Sequence, residues 1–222
     1  MRRPRCLLIA LSCLLSACGE PPPPASHGLP WQIQVEDGGS RVFGISLGQT
    51  TFGEAAAALG PRYDVALFGL PEQVPSLEAF YSEVSLSGFT GKLILTLALP
   101  EQTLRAIRDR SPGNRVLAEG RERRWKVAEQ DLVTVRGAPV VAISYIPMVN
   151  LEEDVVISRF GEPARRLVAT DGGVHWLYPD QGLDLMLDPE GRELLQYVAP
   201  GEFDRLLAPL ERGDPAPAKH SQ

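Results

Sequence analysis

The sequence predicts an α+β protein built from two tandem modules, each a helix, a three-strand antiparallel meander and a closing helix. Three observations predict it. A weak internal repeat with an offset of about 101 residues aligns Ile45-Ser46-Leu47 with Ile146-Pro147-Met148. Helical spacing follows in both copies, with Ala55, Ala56 and Leu59 matching Val156, Ile157 and Phe160. Short segments of period two, separated by turn sequences, come after each helix.

The chain begins with Arg2, Arg3 and Arg5, a mostly apolar run from Cys6 to Leu15, and then Leu15-Ser16-Ala17-Cys18. A basic start, a short apolar stretch and small residues before a cut site mark residues 1–17 as a signal peptide. Residues 18–40 contain Pro21 to Pro24, Gly28 and Pro30 without hydrophobic period, and are expected to form an extended, Pro-rich tether. The first module is assigned to residues 41–112. A linker and the second module are assigned to 113–212, and a loose polar tail to 213–222.

Thr51 with Glu54, and Asn150 with Glu153, read as helix N-caps with a reciprocal acid three residues on. Leu59-Gly60-Pro61 and Phe160-Gly161-Glu162-Pro163 read as stops. In the second copy Val174–Tyr178, Leu183–Leu187 and Glu193–Val198 read as strands joined by Asp- and Gly-containing turns. In the first copy Leu93, Leu95, Leu97 and Leu99 alternate with Lys92, Ile94, Thr96 and Ala98, and Tyr81 and Glu83 alternate with Phe80, Val84 and Leu86. Closing helices are expected after Pro100 and Pro200. Residues 111–139 give the weakest pattern.

Composition excludes several function classes. The 222 residues carry 22 Lys+Arg against 28 Asp+Glu; three of the basic residues and none of the acidic ones precede residue 18, so the remainder stands at 19 − 28 = −9. That balance argues against a nucleic-acid partner. With three His and three Cys, two of the Cys within residues 1–17, no zinc module or disulfide framework is expected, and no cofactor is implied.

Two family resemblances add to this. Leu15-Ser16-Ala17-Cys18 resembles the lipobox of bacterial lipoproteins, which implies a diacylglyceryl group on the Cys18 thiol, cleavage before Cys18 and acylation of the new amino terminus. The bilayer would then be the first partner, and Gly19 favours the outer membrane by the lipoprotein sorting rule. Asn150 opening a helix, Arg159-Phe160-Gly161-Glu162-Pro163, Trp176-Leu177-Tyr178 and the Leu183–Leu187 strand resemble the SmpA/OmlA module of outer-membrane lipoproteins that assist β-barrel assembly. The tandem arrangement resembles the secreted β-lactamase inhibitory proteins. Proteins of this group bind other proteins, so the resemblance implies a non-enzymatic lipoprotein that binds or scaffolds envelope proteins in the periplasm. An inhibitor or regulator of a periplasmic or secreted hydrolase is the alternative.

Few residues suggest chemistry. Gly44-Ile45-Ser46-Leu47-Gly48 matches the G-x-S-x-G nucleophile pattern, but the helix is expected only near Thr51, so a strand-to-helix turn competes with a Ser46 hydrolase. His175 lacks a neighbouring His or Cys at ligand spacing. Arg121, Arg123, Arg124 and Lys126 around Trp125 form the basic run, either a solvated strand or a contact for anionic headgroups or an acidic partner. If helices cover one face of each sheet, Tyr81, Glu83, Lys92, Thr96, Asp184, Met186 and Gln196 are expected on the other, free for a protein partner or for solvent.

Overall fold

The computed structural model describes residues 27–117, 121–170, 172–188 and 193–212. Residues 1–17, expected to be a signal peptide, together with Cys18 and residues 213–222, expected to be a loose tail, lie outside the described residues.

Trp31 to Ser40, placed in the tether by composition, belong to the fold. β1 (Gln34–Glu36), β2 (Gly39–Val42) and β3 (Ile45–Ser46) form a small antiparallel sheet. Its second hairpin turns at Phe43-Gly44, both at positive φ (54° and 79°), the two-residue turn whose twist matches that of its strands. Val42, Phe43, Ile45 and Leu47 are thereby pressed into the core. α1 (Phe52–Leu59) follows with the expected cap: the Thr51 hydroxyl accepts from the Glu54 amide, and the Glu54 carboxylate accepts from the Thr51 amide at 2.8 Å. This hydrogen bonding lowers the Glu54 pKa.

The remaining strands form one antiparallel sheet of ten. In chain order they are β4 (Asp64–Gly69), β5 (Ser76–Leu86), β6 (Phe89–Leu97), β7 (Asn114–Val116), β8 (Arg123–Lys126), β9 (Val140–Pro147), β10 (Arg165–Val168), β11 (Val174–Tyr178), β12 (Leu183–Leu187) and β13 (Leu194–Val198). Their spatial order is β10-β11-β12-β13-β9-β6-β5-β4-β8-β7. Two separate helix–meander–helix modules are therefore not what the chain builds. β9 pairs with β6 on one side and β13 on the other, fusing both halves into a continuous sheet. An isolated meander would leave an edge of unpaired backbone groups, and here each half supplies the other's missing neighbour through β9.

Four helices lie on one face of the sheet: α1, α2 (Glu101–Asp109), α3 (Leu132–Arg136) and α4 (Glu153–Phe160). Phe52, Ala55, Leu104, Ile107, Val135, Val156 and Phe160 pack there against Leu67, Tyr81, Leu93, Leu95, Tyr145, Trp176 and Tyr197. α4 starts at Glu153 after Glu152, so Asn150 is not its cap; Glu153 and Asp154 instead place negative charge in the first turn. The last helix, α5 (Asp204–Arg212), lies on the opposite face. With Phe203 just before it, it covers Leu177 and Val198 through Leu206, Leu207 and Leu210. Among the described residues no helix is long and apolar enough to cross a membrane.

The central β6–β9 pair meets at an unusually close contact. A Cβ on Gly91 would stand 2.5 Å from the Tyr145 ring and 2.5 Å from the Ile146 carbonyl oxygen, so only glycine leaves room for the ring there. Gly91→Ala is expected to lower unfolding free energy by about 1–3 kcal/mol, the usual range for overpacking a core. Urea titration with an unchanged m-value checks this.

Candidate functional site

Residues of the ten-stranded sheet alternate between its faces, and the face away from α1–α4 is only partly covered. α5 takes one end of it. Beyond α5 lies a half-open groove of about 380 Å³. Its floor comes from Ile94 and Thr96 of β6, Ala142, Ser144 and Ile146 of β9, and Leu194, Gln196 and Val198 of β13. Arg205 and Leu206 of α5 form one wall; Gln73 and Val74 before β5, with Glu122 before β8, form the other. The strands from β13 to β4 make the floor roughly 19 Å across, from four spacings of about 4.8 Å.

This groove gathers part of the face expected from sequence. Thr96 and Gln196 line it, and Lys92 lies exposed on the same face. Three others are not available to a partner: Tyr81, Asp184 and Met186 are each 1% exposed. Tyr81 continues the core-facing series of Leu77 and Ala79, and an extra residue in β5 follows it. Tyr81 pairs with Leu93 but Val84 pairs with Gly91, and this bulge reverses the alternation beyond it. Glu83 sits at the bulge, exposed. Burial drives the Tyr81 phenol pKa upward, and among the described residues its hydroxyl has no hydrogen-bond partner.

The basic run is divided by strand alternation. Trp125 is buried in the helix-side core, Arg123 donates to the Asn114 side chain at 2.9 Å, and Arg124 pairs with Asp64 while lying over the Phe68 ring. Arg121 and Lys126 are the exposed cations of the set. A single anion-binding surface does not assemble from them.

Ser46 lies in a shallow cleft with His27, Arg41 and Glu54. Gly44 before it belongs to the β2–β3 hairpin turn, so the strand–nucleophile–helix elbow is absent. Among the described residues Ser46 has no hydrogen bond to a histidine or carboxylate, and no group of three His, Cys, Asp or Glu side chains could hold a metal ion.

Comparison with protein-family models, with curated proteins and with solved structures found no match to this chain.

A buried acid–histidine pair on the sheet escaped sequence reading. His175 on β11 and Asp184 on β12 face the α5 side, both about 1% exposed, with His175 Nδ1 at 2.9 Å from both carboxylate oxygens. The hairpin register places them diagonally: His175 is opposite Met186, and Leu177 opposite Asp184. Counting back from the Pro179–Gly182 turn would have found the pair. Among the described residues His175 Nε2 has no hydrogen-bond partner, so within them the imidazole is held from one side only.

Burial raises the Asp184 pKa above its ordinary 3.8, with the His175 hydrogen bond opposing this in part. Between 3.8 and that raised value, the folded state keeps a proton that the unfolded chain has released, so stability falls as pH rises through the window. Asp184→Asn removes this dependence while keeping an acceptor for His175. Urea midpoints measured from about pH 4 to about pH 7 are expected to decline more for the native protein than for Asp184→Asn. Parallel curves would contradict a burial-raised carboxyl.

Proposed function

We propose that the protein is a bacterial envelope lipoprotein, acylated at Cys18 and facing the periplasm, that binds another envelope protein in the groove of its ten-stranded sheet. The outer membrane is the site that Gly19 favours. The groove is the observation that carries the binding role. Its floor mixes apolar Ile94, Ala142 and Ile146 with Thr96, Ser144 and Gln196, all set on rigid central strands. The walls stand far enough apart to admit one helix or a loop of a partner, since a helix with its side chains is about 10–12 Å across. Half-buried apolar floor with a polar rim is the composition of protein interfaces. The resemblance of residues 150–198 to the SmpA/OmlA module, a group that binds proteins, supports the same reading.

Two measurements test it. In a bacterial host, palmitate is expected to enter the native chain, whereas Cys18→Ala accumulates as unlabelled, uncleaved precursor. A photoreactive residue at Thr96 or Ser144 is expected to give discrete protein adducts in intact envelopes, and one at the exposed Ala57 of α1 to give none. Ile94→Asp should reduce those adducts about tenfold or more, the scale of losing one well-packed interfacial side chain. Adducts that are indifferent to Ile94→Asp, or equal at Ala57, count against the groove.

A further inference from the structure

We propose that a zwitterionic bilayer surface covers an apolar patch beside Trp31, so that the folded part rests on the membrane rather than hanging clear of it. Met148 is 69% exposed, Val149 50% and Val155 40%. Val155 lines a dent with Pro30, Trp31, Phe89, Pro147 and Leu151 at the helix-side end of β6 and β9, and Met148 and Val149 follow Pro147 directly in the chain. Isolated exposed apolar residues need no explanation, but a contiguous group marks a surface that meets something apolar.

The chain leading to Cys18 indicates what that is. It joins the fold at the patch itself: the Pro30 carbonyl accepts from the Tyr197 hydroxyl at 3.0 Å, and the Trp31 ring meets Phe89 edge-on at 5.4 Å. Trp31 stands 13 positions after Cys18, a reach of at most about 45 Å. With Cys18 acylated, the reading on which this inference rests, the patch is held at high effective concentration over the lipid, where even weak apolar contacts suffice.

The residue types fit an interface. Tryptophan favours the headgroup level, and the Arg159 guanidinium lies 5.0 Å over the Trp31 ring, its stem on apolar surface and its head free to reach water. Glu152, Glu153 and Asp154 are exposed at the start of α4, next to Val155, so an anionic surface would be repelled there. That selects zwitterionic headgroups.

The test uses residues 18–222, in which Cys18 is the only thiol, coupled through that thiol to maleimide-bearing lipid in phosphatidylcholine–phosphatidylethanolamine vesicles. Trp125 and Trp176 are 6% and 0% exposed, so quenching by brominated acyl chains or by acrylamide reports on Trp31. Tethered protein is expected to be quenched by brominated lipid and to lose acrylamide access. Met148→Asp with Val149→Asp should abolish both effects while leaving coupling and melting temperature unchanged. Absence of brominated-lipid quenching in the tethered native chain overturns the proposal. So does a vesicle-free dimer that the double variant splits, which would assign the patch to a second copy. Because the tether here is chemical, a negative result bears on docking alone, whereas missing palmitate in cells bears on anchoring alone.

Discussion

β9 holds the structure together, because its backbone is paired on both sides and its start ties down the first helix. Residues Gly91 to Leu97 of β6 run along one edge of it, and Leu195 to Val198 of β13 along the other. Just before and within its start, the Ala138 carbonyl accepts from the Phe52 amide at 2.8 Å, and Val140 exchanges hydrogen bonds with Gly48 and Thr50. The small N-terminal sheet leans on it as well, with Phe43 packed 5.3 Å from Tyr145. A slip of one residue would turn Ile143 and Tyr145 out to the groove and drive Ser144 and Ile146 into the core. Register here is therefore set by burial of Val140, Ile143 and Tyr145 on the helix side, and the Gly91–Tyr145 contact admits a single alignment.

Much of the local structure was legible because local rules decide it. The Thr51–Glu54 capping box, the Gly60 and Gly161 stops and the strands Val174–Tyr178 and Leu183–Leu187 all form where propensity and turn chemistry place them. What was not legible is non-local. Val140–Pro147 has no strict alternation, since Val140, Ile143 and Tyr145 face one core and Ala142 and Ile146 the other side, and so reads as a mere approach to the next helix. Once it is recognised as a strand with two neighbours, the two-module picture collapses into one sheet. The face residues failed for related reasons. The Tyr81–Val84 bulge inverts a pattern that period two carries through, and Asp184 and Met186 look like solvent-side residues until α5 and the strand pairing bury them.

The groove exists because the two closing helices go to opposite sides. α2 follows β6 and returns its Leu104 and Ile107 to the core shared with α1 and α4. α5 follows β13 through the Pro200–Glu202 turn and crosses the other face, where Arg165 of β10 holds Glu211 near its end at 2.8 Å. The half of the sheet built from β4, β5 and β6 thus has no helix of its own on that face. Ile94, Thr96 and Glu78 remain only half-buried, although they sit on some of the longest strands of the molecule. Rigid floor and incomplete cover are a consequence of one chain reversal differing between the halves.

The same asymmetry fixes how the two surfaces relate. Phe89, Pro147, Phe160 and Trp31 belong to the helix side of the sheet, whereas Thr96, Ser144 and Gln196 belong to its reverse. β6 and β9 contribute to both, with Gly91, Leu93 and Tyr145 pointing one way and Lys92, Ile94 and Ser144 the other. With the Trp31 patch against a bilayer, the groove faces away from that lipid, open to whatever approaches from the aqueous side. A short tether that would otherwise leave orientation free then becomes an orienting device, because its last residues are part of the surface that meets the membrane. A partner captured in the groove would be held a sheet's thickness from the lipid, with its access unobstructed by the anchor.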